Sequence, residues 1–369
     1  MKDVVDSYDA TFGTRSAVIA IDEPGGEGRV YPEQVVARLV QADYPSYRRV
    51  ANFINDYPCD ALNIQHEYGL FGGDDGVWIV DLISAVRKPV VTSLHTVLPD
   101  PSPQHLRVAR AICAASNAIV VLSETGREIL VDRYGVTPEK IHVIHHGVPD
   151  VPFRDTSEAK RRLGLAQRTT ISTFGLINRG KGLEFAIEAM QPVVASHPEA
   201  LYLILGQTHP VIRRREGESY RRELEANIAA NGLADNVMLV DKYLDFDELI
   251  GYLSASDVYL TPYLNPTQIV SGTLAYAVGC GKAVVSTPYL YAQELLAHGR
   301  GFLVPFRDAS AIATTLVALL DDPALRESVE RRAYKFGRRM IWSNVAHGYG
   351  ALFTELLPKS RREELATPA

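Results

Sequence analysis

Cysteine is scarce in this sequence. Its 369 residues hold three, Cys59, Cys113 and Cys280, and no two have the C-x-x-C spacing of a zinc or dithiol site. That excludes a disulfide framework, predicts three core thiols and points to a reducing compartment. Long apolar runs are lacking as well. Stretches such as Ala118 to Leu122 are strand-sized and too short to span a bilayer, and Met1 to Asp6 has no apolar signal-peptide core. Basic charge is not in excess. The formal net charge is -6, so no global positive field invites nucleic acid, and any anion must be held by a local site. The signatures G-x-S-x-G, H-E-x-x-H and Walker A are absent. These features predict a cytoplasmic protein with no nucleic-acid partner, the inner face of a membrane being the alternative location.

What is present is an ordinary globular composition, 46% hydrophobic and 22% charged, over a length that suits two domains. Short apolar strands alternate with helical stretches. Strands are read at 16–21, 61–64, 89–94, 118–122 and 141–144, with helices over 76–87 and 102–115 between them. Near-continuous apolar strands separated by helices indicate a parallel sheet covered on both faces. The pattern pauses at a turn-rich exit, Gly147 to Pro152, and a charged stretch, Arg154 to Arg168. It then restarts with strands at 170–174, 201–205, 237–239, 258–261 and 283–286. The expected organisation is a first Rossmann-like domain over 1–150 and a linker over 151–168. A second Rossmann-like domain follows over 169–335, and a C-terminal helical segment over 336–369 ends in a polar, frayed tail. The first strand begins only at Ser16, where a doubly wound domain usually opens with a strand, a glycine loop and a helix. The opening unit of roughly 30 residues is therefore expected to be missing. This reads as a truncated or misplaced start, the alternative being a fold that starts differently.

Three segments carry candidate chemistry. The first is Phe174 to Glu184, where a strand ends, a loop holds Gly175, Arg179, Gly180, Lys181 and Gly182, and a helix begins. Free amides at a helix start and two cations suit phosphate; the competing reading is a plain turn with solvated cations. The second is Pro262 to Leu274, where Ser271, Gly272 and Thr273 put small side chains and amides at another helix start, either as a second anion site or as simple capping. The third is a set of histidines at strand ends. His66 and Glu67 follow one strand, with Gly69, Gly72 and Gly73 soon after, and His95 and Thr96 follow the next. Ligands of open α/β sheets sit beyond the carboxyl ends of strands. Three features are set aside. Asp245-Phe246-Asp247 matches a D-x-D metal motif, but Glu248 three residues on marks a capping box. Gly25 to Gly28 lacks the strand–turn–helix setting of a phosphate loop. Arg213 to Arg215 with Arg221 and Arg222 reads as a solvated helix face, contact with an anionic acceptor or lipid headgroup being the alternative.

In order and spacing these pieces resemble the family 4 glycosyltransferases, retaining sugar-nucleotide enzymes with the GT-B fold, over nearly the whole chain. The resemblance rests on Asn63 to Gly69, Leu94 to Thr96, Val121 to Glu124 and Ile141 to Val148 in the first half. In the second half it rests on Gly175 to Gly182, Asp257 to Tyr263, and Cys280 to Thr287 with Glu294 beyond. It implies an α/β architecture of two Rossmann-like domains whose parallel sheets face each other across a cleft. It further implies that Lys181 holds the donor diphosphate, that His95 lies near the donor sugar, and that His66, Glu67, Gly72 and Gly73 line the acceptor side. Two departures stand out. Leu176 occupies the usual arginine position, so Arg179 is the replacement cation. The E-x7-E element reads Gln268 and Tyr276, where the first glutamate normally contacts the sugar and the second the ribose.

The implied function is retaining, metal-independent transfer of a hexose, mannose or glucose, from a sugar nucleotide, with no cofactor. The acceptor is a sugar, polysaccharide or lipid-linked group. Catalysis falls to His95, Lys181 and Arg179. Donor binding falls to Gly175, Lys181, Arg179, Gln268, Ser271, Gly272, Thr273 and Tyr276. The alternatives are a glycoside phosphorylase using inorganic phosphate in the same pocket, and a degenerate binding subunit.

Overall fold

Apolar strands with both faces covered lead directly to the observed architecture. The computed structural model describes residues 2–26, 28–153 and 156–360. Glu27 of the early glycine loop, Arg154 and Asp155 of the expected linker, and the tail from residue 361 lie outside the described residues. In chain order the elements are α1 (Lys2–Phe12), β1 (Val18–Asp22), β2 (Val35–Val40), α2 (Tyr44–Asp56), β3 (Leu62–His66), α3 (Trp78–Ala85), β4 (Val90–Leu94), α4 (Pro103–Ala115), β5 (Ala118–Val121), α5 (Glu124–Tyr134) and β6 (Ile141–Val143). They continue with α6 (Thr156–Arg162), β7 (Thr169–Phe174), α7 (Leu183–Ser196), β8 (Ala200–Leu205), α8 (Pro210–Glu216), α9 (Ser219–Ala230), β9 (Val237–Val240), α10 (Phe246–Ala255), β10 (Val258–Thr261), α11 (Gly272–Gly279), β11 (Ala283–Ser286), α12 (Leu290–Leu295), β12 (Phe302–Leu303), α13 (Ala309–Asp321), α14 (Pro323–Gly337) and α15 (Trp342–Leu356).

The chain forms two units. One comprises the residues up to His146 with those from Trp342 onward; the other comprises Gly147–Ile341. In the first unit, β3-β4-β5-β6 make a parallel sheet, and β1 and β2 pair in parallel as a separate two-stranded sheet. Every residue of β4 and β5 is buried, which is why both read as unbroken apolar runs. Strand β2 escapes a reading by pattern because Arg38 interrupts it and alternate residues face solvent. α15 belongs to this unit. Its Tyr349 hydroxyl meets Ser93 Oγ of β4 at 2.8 Å, and Phe353 packs edge-on to Tyr8 of α1 at 5.7 Å.

The second unit is a six-stranded parallel sheet in the order β12-β11-β10-β7-β8-β9. Its entry and exit run side by side, the Val148 N–H donating to the Met340 carbonyl at 2.8 Å. The described part of the segment expected as a linker over 151–168 is instead built into this unit. The Tyr334 hydroxyl holds the Val151 carbonyl at 2.9 Å, and Lys160 of α6 is ion-paired to Asp257, both nearly buried. Asp257 also accepts the Thr170 N–H at 2.7 Å. The charged look of the segment suggested a solvated connection; one buried carboxylate 97 residues away reverses that. Likewise residues 336–341 stay with the second unit, and the boundary falls at Trp342 rather than at 336. Breaking a buried pair leaves an uncompensated charge, so Asp257→Ala is expected to cost about 3–5 kcal/mol, measured by chemical unfolding of the second unit. Asp257→Asn, which keeps an acceptor for Thr170, should cost less.

Candidate functional site

In the second unit the candidate donor site forms where β7, β8 and β10 end. Beyond β7 the chain turns at Gly175, whose φ is +131°. The loop after β8 pairs with it: Gly175 N–H donates to the Leu205 carbonyl at 2.9 Å and Ile177 N–H to the Gln207 carbonyl at 2.8 Å. Gly206 has φ +138°, and a Cβ there would stand 2.2 Å from the Gly175 carbonyl oxygen, so only glycine permits the two loops to touch. Gly182 closes the other side, its φ +61° and an imagined Cβ 2.2 Å from the Pro262 carbonyl oxygen. The Leu264 N–H completes the dock on the Gly180 carbonyl at 2.9 Å.

This docking sets the ammonium of Lys181 3.7 Å from the centre of the Tyr263 ring. Such contacts are worth about 0.5–2 kcal/mol, which holds the long side chain in one place. Tyr263 is itself fixed, stacked on Tyr289 at 5.6 Å and hydrogen-bonded through its hydroxyl to Thr273 Oγ1 at 2.7 Å. Thr273 meets Ser271 Oγ at 3.1 Å, and Ser271 caps α11 by accepting the Leu274 N–H at 3.3 Å. A Cβ on Gly175 would lie 3.3 Å from Thr273 Cγ2 and 3.9 Å from Lys181 Nζ. Gly175, Lys181, Ser271, Gly272 and Thr273 are thus brought together, an ammonium beside a helix start. Tyr263 and Gly206 belong to the same site and were not singled out in the sequence. Gly206 had a visible signal, a glycine directly after an apolar strand.

Other expected members behave differently. Arg179 is turned into a two-pronged pair with Glu223, at 2.7 and 2.5 Å, and lies over Tyr220 at 5.1 Å. Its charge is matched, and Glu223 in turn keeps its guanidinium firmly protonated. Leu176 is 38% exposed and brings no charge. The Gln268 amide donates to the Val270 carbonyl at 2.8 Å, and Tyr276 packs near Phe174 at 6.4 Å. Arg221 departs from the expected solvated cluster: it is 5% exposed and donates to the Gly206 carbonyl at 2.8 Å, with Asp241 at 2.9 Å. It braces the β8 loop from below. Arg213 pairs with Glu218 at 3.0 Å. Asp245 forms the capping box with Glu248, as its spacing predicts.

The first unit has its own polar edge, where β3 and β4 end. His66 is 2% exposed, stacked on Phe71 at 5.6 Å. Burial, then the neighbouring His95, pushes its pKa down to about 4. The His95 backbone N–H donates to the His66 carbonyl at 3.0 Å. Its ring Nε2 meets the Gln65 side-chain amide at 2.7 Å. Burial, then His146, lowers His95 to about 4 as well. Glu67 accepts the Thr96 hydroxyl at 2.6 Å. Gly72 and Gly73 are explained by packing: a Cβ on either would stand within 2.6 Å of Trp78, and Gly72 N–H is held by the Tyr47 hydroxyl at 2.6 Å. Among the described residues no group of three or more His, Cys, Asp or Glu could hold a metal ion, and no helix is long and apolar enough to cross a membrane.

Comparison with known proteins agrees with this anatomy. The sequence pattern of the group 1 glycosyl transferases matches residues 168–322, and that of glycosyltransferase family 4 matches residues 12–150. The chain is 26% identical to a D-inositol 3-phosphate glycosyltransferase of Acidothermus cellulolyticus, over 74% of this chain and 63% of that one. It therefore spans less than two thirds of that relative's length. Among solved structures, HepE of Anabaena in complex with UDP is 19% identical with a TM-score of 0.72, covering 88% of this chain and 87% of that one. Sucrose-phosphate synthase of Thermosynechococcus elongatus is 19% identical with a TM-score of 0.75, covering 96% and 92%. The two family patterns together take in most of the chain, and by sequence and fold it belongs to the family 4, group 1 glycosyltransferases, with two Rossmann-like units of the GT-B type.

Proposed function

We propose that this chain transfers a hexose from a sugar nucleotide to an acceptor hydroxyl with retention at the anomeric carbon, without a metal, and that its nucleotide is UDP. One observation carries the reading: the Lys181 ammonium is held over Tyr263, next to Gly175 and the start of α11. As the bond from sugar to diphosphate breaks, positive charge grows on the sugar and negative charge on the leaving phosphate. Lys181 and the free amides near Ser271 to Thr273 offset the second of these from fixed positions, so little reorganisation is needed. The departing phosphate oxygen takes the proton of the attacking hydroxyl on the same face. His95, neutral at pH 7, has a hydrogen-bonding imidazole rather than a charge to offer.

UDP is favoured because HepE was solved with UDP and with UDP-glucose, and this makes glucose the first sugar to try. The relatives named D-inositol 3-phosphate glycosyltransferase make a cyclitol, free or phosphorylated, the acceptor to try first. Arg179 is assigned no donor contact while Glu223 holds it.

Thermal unfolding of the full chain with UDP, GDP, ADP and inorganic phosphate tests the proposal. A ligand at a hundred times its Kd stabilises by about 2.7 kcal/mol, and UDP alone should do so. Stabilisation by phosphate without any nucleotide effect would favour the phosphorylase reading. No response from any of the four would favour a binding subunit that has lost the donor.

A further inference from the structure

The edge of the first unit carries polar groups that donor binding leaves unused, and they form one patch. Glu67 takes both its hydrogen bonds on Oε1, from the Thr96 hydroxyl at 2.6 Å and the Tyr68 N–H at 3.3 Å. Its Oε2 has no hydrogen-bond partner among the described residues. Tyr68 joins this carboxylate to a second one: its ring is 5.4 Å from His66 and 4.8 Å from His105, and His105 Nε2 faces Asp75 Oδ1 at 3.3 Å. His66 sits in the same patch, 2% exposed, and neither of its ring nitrogens has a hydrogen-bond partner among the described residues. A buried imidazole without partners calls for a polar one, an ordered water or a ligand hydroxyl.

The permanent charge on the loops around these groups has one sign. Residues 67–77, 95–102, 122–123 and 144–146 follow the four strands of the sheet. They contain Glu67, Asp74, Asp75 and Asp100 and neither lysine nor arginine. The first arginines of the helices beyond, Arg107 and Arg127, are turned to Gln104 and Glu124. His66 and His95 add no positive charge at pH 7, since burial lowers both to about 4. Carboxylates accept hydrogen bonds from hydroxyls and repel a phosphate.

We propose that the acceptor received at this edge is an uncharged polyhydroxy compound, a sugar or polyol, rather than a phosphorylated one, with Glu67 and Asp75 as acceptors for its hydroxyls. The inference rests on the glycosyl-transfer reading, and its test is separable from it. The full chain, with and without saturating UDP, is titrated by calorimetry with myo-inositol, glucose, fructose and trehalose, each beside its monophosphate. At least one neutral compound should bind about tenfold or more tightly than its phosphate, and Glu67→Gln or Asp75→Asn should weaken it by about tenfold. Glu67→Lys should invert the order within the pair. Tighter binding of the phosphate in the pairs that bind, or no binding of any neutral compound, would overturn the proposal. The response to UDP itself reads the donor proposal separately.

Discussion

Lys181→Ala is expected to lower kcat for glycosyl transfer by about 10²–10³-fold and to abolish the thermal stabilisation by UDP, while the unliganded protein loses no more than the Tyr263 contact, about 0.5–2 kcal/mol. Three features set the size of the effect. The ammonium is the cation that Tyr263 holds at the corner of Gly175 and Thr273. It stands beside the start of α11, whose amides have the same sign of charge. The other two expected positions do not substitute, because Leu176 replaces the arginine that the family resemblance implies and Arg179 is paired with Glu223. The comparison with Arg179→Ala is therefore sharp: that variant should change kcat by less than about threefold, in line with an exposed ion pair. Steady-state rates of both variants with UDP-glucose as donor check this. Equal losses in the two would show that Arg179 leaves Glu223 to join the phosphates, and that Lys181 does not act alone.

The second large effect is on stability in mild acid. His66 and His95 have folded-state pKa values near 4 against an ordinary 6.5, because burial penalises the imidazolium. Above pH 6.5 both are neutral whether the chain is folded or not, so neither costs anything. Below it the unfolded chain takes up protons that the folded unit refuses. Stability is then lost by about 1.4 kcal/mol per pH unit for each histidine, and the loss levels off only near pH 4. The first unit should therefore weaken by several kcal/mol between about pH 6.5 and pH 5, before most carboxylates titrate. Both tryptophans, Trp78 and Trp342, belong to that unit, so tryptophan fluorescence in urea reads it alone. His66→Gln should halve the slope against pH. An unchanged urea midpoint across this range would refute the assignment of two neutral buried imidazoles.

The contrast between these two effects follows from where each group came to light. The loop from Gly175 to Gly182 was legible because every cue was local: an apolar strand before it, glycines within it, a helix after it. The histidines were legible as residues at strand ends, since β3 and β4 are continuous apolar runs whose ends are easily read. Their neutrality was not, because burial is a property of what packs around a side chain.

By itself the sequence determined the strands of the three parallel sheets, apart from β2 and the two-residue β12, together with the capping box at Asp245 and the strand–loop–helix turns where the candidate sites lie. Periodicity and turn chemistry act over a few residues, so these features need no distant partner. Tertiary structure alone decided the rest. It drew α6 out of an apparent linker through Lys160 and Asp257, and it buried Arg221 under Gly206. It matched Arg179 with Glu223 across 44 residues and set Lys181 on Tyr263. Each of these is an electrostatic or ring contact between positions far apart in the chain. Its energy depends on geometry and desolvation that exist only once the sheet has formed.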